Sequence, residues 1–173
     1  GSVWHYSPYN GEVRQGTLYT DSGFWDVFRA QMPLLNLLYP SVSREIQEGL
    51  MHIAEENEFL PEWASPGHRS CMVGNNSISV AADVYLKGIS ADGIDKLYEA
   101  MVHGTENVHP LFPSVGRWGH EYYNTLGYVP YDVGIKENVA RTLEYAYDDW
   151  CIAQVAKKLG HDDDYAFFLG RSM

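Results

Sequence analysis

The sequence predicts an all-α protein in which helices alternate with loops. Three observations support this fold class: apolar residues recur every three or four positions in several segments, glycines and prolines stand where helices should end, and runs that alternate between polar and apolar residues are scarce. The chain has 173 residues, 45% of them hydrophobic, which is enough to bury a sizeable core in one domain.

The first two helices are expected to follow Asp21. Either Asp21 or Ser22 can cap the first helix by accepting backbone N–H bonds. Pro33 should kink or interrupt this helix before it ends at Pro40. The second helix is expected to begin near Ser43, with an apolar stripe of Ile46, Leu50 and Ile53.

Two more helices are expected in the middle of the chain. The segment "NSISVAADVYLKG" is typical of a helix that stops at Gly88. The segment "SADGIDKLYEAMVHG" is typical of a helix capped by Ser90 and ended by Gly104, with a buried face of Ile94, Leu97, Ala100 and Met101.

The strongest helical pattern lies in "KENVARTLEYAYDDWCIAQVAKKLG", which Gly160 can end. Asp148 and Asp149 in this helix lack the spacing of a calcium-binding loop, so we predict them to be solvent-exposed. A last helix is expected to start at 162–164. The predicted buried stripe of the long helix is Val139, Leu143, Ala146, Trp150 and Ala153.

Two loops are rich in side chains that can bind a ligand. One is "LPEWASPGHRSCMVGNN", residues 60–76, which combines aromatic, acidic and basic side chains with prolines and glycines. The other is the irregular stretch 105–134, which contains "GRWGHEYYNTLGYVPYD". Loops of nearly 30 residues are uncommon in compact domains unless they are functional.

The net charge of −11 argues against nucleic acid as a partner, because phosphate binding needs clustered Lys and Arg. It also disfavours an anionic membrane surface, and no apolar run approaches the ~20 residues of a spanning helix, so we expect no membrane insertion. Neutral or cationic ligands, or a divalent cation, fit this charge better. Cys71 and Cys151 are interpreted as two free, packed thiols rather than a disulfide.

Five segments occur in a fixed order: "HYSPYNGEV", "LYTDSGFWDVFRAQMPLL", "FLPEWASPGHRSCMVGNNSISVAADVYLKG", "GRWGHEYYNTLGYVPYD" and "RTLEYAYDDWCIAQVAKKLG". Over essentially the whole chain, this series closely resembles the catalytic domain of bacterial exo-α-mannosidases of glycoside hydrolase family 92. The resemblance implies part of an (α/α)6 toroid of the six-hairpin glycosidase type, with long functional loops. Residues 1–173 would be a single piece of that helical domain, and an N-terminal β-sandwich and the remainder of the barrel would lie outside it.

The resemblance further implies calcium-assisted hydrolysis, with inversion, of terminal α-mannosidic bonds in mannan or N-glycans, with a preference for α-1,2 linkages. Inversion needs a carboxylic acid and a general base about 6.5–9.5 Å apart. The family's base is an aspartate in a "GQMSAWY"-type motif, which is expected beyond Met173. Its acid is commonly a Glu three residues before the Cys of "CMVG", where this chain has His68. Glu62 and His68 are the candidate catalytic residues. Alternatively, Glu62 pairs with Arg69 and His68 binds a hydroxyl.

His120 and Glu121 match a His-Glu pair that holds the neighbouring sugar in family members with α-1,2 preference; the alternative is a loop pair satisfied by backbone groups. The other candidate substrate-binding residues combine hydrogen-bonding groups with aromatic walls, which suits a pyranose: Asp21, Asp26, Arg69, Trp25 and Trp63. The alternatives are that Asp21 caps a helix and that the two tryptophans are core residues.

Asn124 and Glu144 are the candidate ligands for Ca²⁺, since calcium prefers oxygen atoms. Glu144 on an exposed helix face is the alternative. The expected partners are a mannose-containing oligosaccharide and the rest of the catalytic domain, and incomplete packing of the helices would favour self-association. Export to the periplasm or cell surface of a bacterium is implied by the resemblance alone. Two rival functions are a mannose-binding or structural helical segment without turnover, and a different six-hairpin sugar enzyme.

Overall fold

The computed structural model describes residues 2–173, and its helices, joined by loops, confirm the all-α prediction. Within these residues the strands form two short antiparallel ribbons. The α-helices of the described residues are α1 (Phe24–Val27), α2 (Gln31–Leu38), α3 (Pro40–Asn57), α4 (Ser77–Leu86), α5 (Ile94–Glu106), α6 (His120–Leu126), α7 (Asn138–Leu159) and α8 (Asp162–Arg171).

The first ribbon pairs β1 (Trp4–Tyr6) with β2 (Val13–Gln15). It is fixed to α3 through the buried Glu56, whose carboxylate contacts His5 Nε2 at 2.7 Å and accepts a hydrogen bond from Ser7 Oγ at 2.5 Å. The second ribbon pairs β3 (Ser22–Gly23) with β4 (Trp63–Ala64), so it joins the start of α1 to the loop at 60–76.

The main core lies between α3, α4, α5, α7 and α8. These helices have apolar faces with the 3.6-residue period expected of amphipathic helices, and burial of those faces drives their association. The core includes Leu50, Ile78, Leu97, Met101, Ile152, Val155 and Phe168. A second, smaller cluster packs beside α6 and consists of Tyr123, Val129, Ile135 and Tyr145.

The predicted interruption of this helix is present, but it lies at residues 28–30 rather than at Pro33, which is inside α2. Pro33 is the third residue of α2, where its missing N–H would have had no partner within the helix. Pro40 begins α3 rather than ending α2, because the first turn of a helix tolerates proline. Ser43 is therefore buried inside α3 and does not mark its start.

The predicted ends of α5 need correction. Ser90 lies before the helix and its Oγ accepts a bond from the Asp92 N–H at 3.1 Å, while Gly93, with φ +67°, precedes the first turn. Gly104 is inside α5, where a Cβ would stand 2.9 Å from the Asn75 side chain, so this glycine permits close packing rather than a stop. The irregular stretch 105–134 also contains α6, which was not predicted.

The predicted buried face of α7 is wrong at three of its five positions, while Ala153 is buried as predicted. Val139 and Leu143 are each 67% exposed and Trp150 is 44% exposed. The opposite face buries Arg141, Glu144, Tyr145, Asp148 and Asp149, so the expectation that the two aspartates are exposed is also wrong. Polar groups can be buried when they are paired, and a hydrophobic period cannot show which charges find partners.

Cys71 and Cys151 are free thiols, as predicted. Among residues 2–173, no helix has the length and apolar character needed to cross a bilayer.

Candidate active site

The β3–β4 ribbon brings the start of α1 against the loop 60–76. The backbone N–H groups of Asp21 and Phe24 donate to the carbonyls of Ala64, at 2.6 Å, and Glu62, at 2.9 Å. Asp21 is exposed and its Oδ1 accepts a bond from Ser65 Oγ at 2.7 Å. Asp21 therefore does not cap α1, which follows Gly23 without a side-chain cap among the described residues.

The first turns of α7 lie against the same assembly. Trp25 Nε1 donates to Glu144 Oε1 at 3.2 Å, and the Arg29 guanidinium pairs with the same carboxylate. A Cβ on Gly74 would stand 2.9 Å from Glu144 Cβ, so the end of the 60–76 loop touches this part of α7. Glu144 thus joins α1, the loop and α7.

The segment that carries His120 and Glu121 attaches one turn earlier on α7. The Arg141 guanidinium lies 5.2 Å from the centre of the Trp118 ring, and its Nη2 donates to the Met72 carbonyl at 3.5 Å. The contacts of Arg141 and Glu144 therefore bring residues 21–29, 60–76 and 118–121 together at the N-terminal end of α7. This shared location is our candidate active site.

Gly119 sets the direction in which α6 leaves this end. Its φ is +86°, and a Cβ there would stand 2.7 Å from Ile135 Cδ1, so only glycine fits without movement of the core. His120 and Glu121 then open α6 with side chains that are 27% and 57% exposed and face each other at 3.9 Å.

The predicted sugar-binding residues differ in accessibility. Trp25, which follows the β3–β4 ribbon, and Trp63, which belongs to it, are half-buried, so part of each side chain is accessible. The exposed members at this end are Asp21, Asp26, Arg69 and Glu121. The structure thus places acceptors, a cation and aromatic faces around the same segments, which is the mixed chemistry that a pyranose needs.

Glu62, one of the two candidate acids, is fully buried. Burial raises the pKa of its carboxyl well above the usual range, against the opposing effect of its bonds from Asn76. The Asn76 N–H donates to Oε2 at 2.6 Å and Asn76 Nδ2 to Oε1 at 3.2 Å. The alternative ion pair with Arg69 does not form, because Arg69 is exposed and donates to the His68 carbonyl instead.

His68, the other candidate acid, is 4% exposed, and burial and then the neighbouring His109 lower its pKa to about 3. Asn57 Nδ2 donates to the Ile53 carbonyl and its Oδ1 accepts from the Phe59 N–H, so the amide oxygen faces His68 Nε2 at 2.7 Å. We therefore assign the proton of the neutral imidazole to Nε2, where Asn57 holds it. A general acid must release a proton to the substrate, and neither candidate is free to do so in this conformation.

His68 also borders a pocket of about 410 Å³ on the side of the loop that faces the N-terminal ribbon. Its lining combines the rings of Tyr9, His109 and Phe112 with the side chain of Arg69. The ring of Tyr9 meets that of His68 edge-on at 4.8 Å. The role of His68 in binding a hydroxyl stays a prediction.

A larger cleft of about 530 Å³ opens beside Glu144, between α2, α4 and α7. Phe28, Met32 and Val80 form an apolar floor, and Asp83 and Tyr147 supply polar groups. The cleft is therefore amphipathic and begins next to the contact between Trp25 and Glu144.

The two predicted calcium ligands do not fit a cation in their present contacts. Asn124 Oδ1 accepts a bond from Arg171 Nη1 at 3.0 Å, and the Glu144 carboxylate faces Arg29. Among residues 2–173, no three His, Cys, Asp or Glu side chains are grouped so that they could hold a metal ion. Since calcium takes six to eight oxygen ligands, a site here would need these arginines to move.

Sequence reasoning missed the buried polar residues that support the site. Asp148 Oδ2 accepts a bond from the Asn75 N–H at 3.0 Å, so together with Glu62 it binds two consecutive amides just before α4. Asp149 pairs with the fully buried Arg117. The sign of these buried residues in the sequence is the number of charged side chains on one face of α7. A search for apolar periodicity assigns such a face to solvent and therefore does not detect them.

Comparison with known proteins gives the site its context. The model of the glycosyl hydrolase family 92 catalytic domain matches residues 1–173. The chain belongs to glycosyl hydrolase family 92. This membership decides against the second of the two rivals, a different six-hairpin sugar enzyme.

Solved family 92 structures are similar to this chain. A family 92 inverting mannosidase from Bacteroides thetaiotaomicron is 50% identical, with a TM-score of 0.95 over 99% of this chain and 23% of that protein. A family 92 α-mannosidase from the same organism, also solved with mannoimidazole, is 36% identical, with a TM-score of 0.82 over 94% of this chain and 22% of that one. The helical fold of this family 92 chain is consistent with part of an (α/α)6 toroid.

A curated relative from the fungus Arthroderma benhamiae is named an uncharacterized secreted glycosidase. It is 38% identical over 103 residues, which are 54% of this chain and 13% of the relative. The family 92 chain therefore spans less than a quarter of the length of each of these relatives.

Proposed function

We propose that the protein containing this chain is a glycoside hydrolase that acts on mannosides. The observation that carries the proposal is the match of all 173 residues to the family 92 catalytic domain, together with 50% identity to an inverting mannosidase. The site supports it by gathering acceptors and aromatic faces at one end of α7. The finer proposal is release of terminal α-1,2-linked mannose with inversion.

Within this proposal, residues 1–173 are a piece of the helical catalytic domain and supply much of its sugar-binding surface. Asp21, Asp26 and Arg69 bind hydroxyls, and the faces of Trp25 and Trp63 pack against the ring. His120 and Glu121 bind the sugar next to the scissile bond. The general base is supplied by residues outside this chain, as the family resemblance implies.

Glu62 is the better of the two candidate acids on chemical grounds. Its raised pKa favours the protonated carboxyl, which is the form that a general acid requires. Burial lowers the pKa of His68 to about 3 and so favours the neutral imidazole, which is a weak proton donor. For Glu62 to act, the loop 60–76 must turn the carboxyl away from Asn76 and toward the substrate. Calcium assistance stays a prediction, and no step here depends on it.

The test is hydrolysis of α-1,2-mannobiose by the longest natural protein that contains residues 1–173, followed by proton NMR of the freshly released mannose, with and without a calcium chelator. The proposal expects turnover and initial release of β-mannose. Release of α-mannose first would reject inversion, and failure to cleave any α-mannoside would reject the enzyme. An unchanged rate in the chelator would reject calcium assistance.

A second candidate function is mannose binding without turnover. The observation that favours it is the fixed state of both candidate acids, since Glu62 is held by Asn76 and His68 by Asn57. Calorimetry of mannose with this chain separates the two functions: saturable binding with no cleavage by the longer protein would support the binding role. Secretion, suggested by the name of the fungal relative, is part of either proposal.

A further inference from the structure

Asp149 on α7 is the centre of a buried ion cluster behind the His120–Glu121 segment. Its side chain is 0% exposed, and its Oδ1 lies 2.6 Å from Arg117 Nη2. Arg171, the last residue of α8, donates from Nε to Oδ2 at 2.6 Å and from Nη2 to Oδ1 at 2.8 Å. One carboxylate therefore binds two arginines, one of them through a bidentate fork.

Arg117 connects this cluster to the start of α6. Its carbonyl accepts a bond from the His120 N–H at 2.9 Å, and its own N–H donates to the Asn107 carbonyl at 3.0 Å. Its guanidinium packs over the rings of Tyr145 and Tyr123, with distances of 5.2 and 5.5 Å to the ring centres. The position of the Arg117 side chain therefore fixes the turn that His120 follows.

Arg171 and Tyr123 hold the next turn of α6. Arg171 Nη1 donates to Asn124 Oδ1 at 3.0 Å, and Asn124 is four residues after His120, on the same face of the helix. Tyr123 Oη donates to Asp149 Oδ2 at 3.3 Å. The same carboxylate thus restrains α6 before its first residue and in its middle.

The pair of His120 and Glu121 needs this support because α6 has only seven residues. A helix this short is not stable by itself, so tertiary contacts decide its orientation. Glu121 is exposed and His120 is half-buried, and within residues 2–173 their own 3.9 Å contact is the one ion pair that either of them makes. The rigid element behind them is the cluster of Arg117, Asp149 and Arg171.

We propose that Asp149 is a positioning residue that holds His120 and Glu121 in the orientation that binds the sugar next to the scissile bond. This inference rests on the proposed function. Replacing Asp149 by Asn keeps its shape but removes the charge that the buried Arg117 needs, and an uncompensated buried charge moves toward another partner or toward water. The turn before His120 moves with it, and substrates that use the neighbouring-sugar site are affected most.

The experiment compares two substrates in the longest natural protein that contains this chain. The neighbouring-sugar site is the site beside His120 and Glu121 that binds the leaving group. α-1,2-Mannobiose places its second mannose there, whereas 4-nitrophenyl α-mannoside places only a flat aryl group there. For Asp149→Asn we expect a ~10–100-fold loss of kcat/KM on mannobiose, mainly through KM, and less than about 3-fold on the aryl mannoside. Arg171→Lys keeps the ion pair without the fork, so it should give a smaller loss of the same kind, and it serves where Asp149→Asn fails to fold.

Glu99→Gln is the matched control, because it removes the acidic partner of Lys96 in an exposed ion pair on α5 and should change neither substrate. Equal losses on both substrates, or no loss on either, would overturn the positioning role. If the unmodified protein cleaves neither substrate, the proposed function fails. Hydrogen exchange of the amides at 117–123 then decides the positioning separately: faster exchange in Asp149→Asn supports it, and unchanged exchange overturns it.

Discussion

The buried Asp148 should make the protein less stable as pH rises from mildly acidic to neutral. Asp148 is fully buried on α7, and burial raises its pKa to about 7, against the opposing effects of Arg117 and the Asn75 N–H. In the unfolded chain the group titrates near 3.8. Between these values the folded protein keeps a proton that the unfolded chain releases, so the free energy of unfolding falls with increasing pH.

The size of the effect follows from proton linkage. With a pKa of about 7 in the folded state and 3.8 in the unfolded state, this one group lowers the free energy of unfolding by about 2.5 kcal/mol between pH 5 and pH 8. Asp148→Asn removes the titration, while the amide oxygen can still accept the Asn75 N–H bond. We expect the stability of the variant, relative to the unmodified chain, to rise by about 2.5 kcal/mol over this range.

The assay is urea unfolding of both proteins at pH 5, 6, 7 and 8, with the slopes against urea compared to check that the unfolded states are alike. Asp163→Asn, the same chemical change at an exposed position of α8, is the matched control. A stability difference between Asp148→Asn and the unmodified chain that stays constant with pH would refute the reasoning, since it would mean that Asp148 is already ionised in the folded protein at pH 5.

Three further predictions concern packing. Gly119→Ala should lower the free energy of unfolding by about 1–3 kcal/mol, because alanine is strained at φ +86° and its Cβ meets Ile135. Thermal unfolding measures this change, and a stability unchanged within error would contradict it. Leu143→Lys should lower the free energy of unfolding by less than about 0.5 kcal/mol, because Leu143 is 67% exposed. Urea unfolding measures this, and a loss of several kcal/mol would mean that Leu143 is buried, as the sequence pattern predicted. Cys71 should react with a thiol reagent in the folded protein and Cys151 only after unfolding. The reason is that Cys151 is 3% exposed and burial raises the pKa of its thiol. Labelling of both thiols in the native state would contradict this and show that α7 opens.

One expectation from the sequence concerns assembly. Exposed apolar residues on α2 and α7, including Leu37 at 77% and Leu143 at 67%, favour self-association of the isolated chain. Sedimentation at micromolar concentration measures this directly, and a monodisperse monomer would contradict it.

The sequence by itself determined the helix-and-loop layout, the positions of α3, α4, α7 and α8 to within a few residues, and the two ligand-rich loops. These features depend on local rules, such as the 3.6-residue period and the preferences of glycine and proline at helix ends. The same rules failed at Ser43, Ser90 and Gly104, because tertiary packing can replace a side-chain cap or require a glycine inside a helix.

Only the tertiary structure decided which face of α7 is buried and which candidate side chains meet. Asp148 and Asp149 look like surface residues in the sequence, and they are buried because Asn75 and Arg117, which are distant in sequence, satisfy them. Glu62 and His68 are plausible acids in sequence, yet Asn76 and Asn57 engage them in the fold. The physical reason is that burying a polar group is unfavourable unless a partner is present, and the partners are brought together only when the chain has folded.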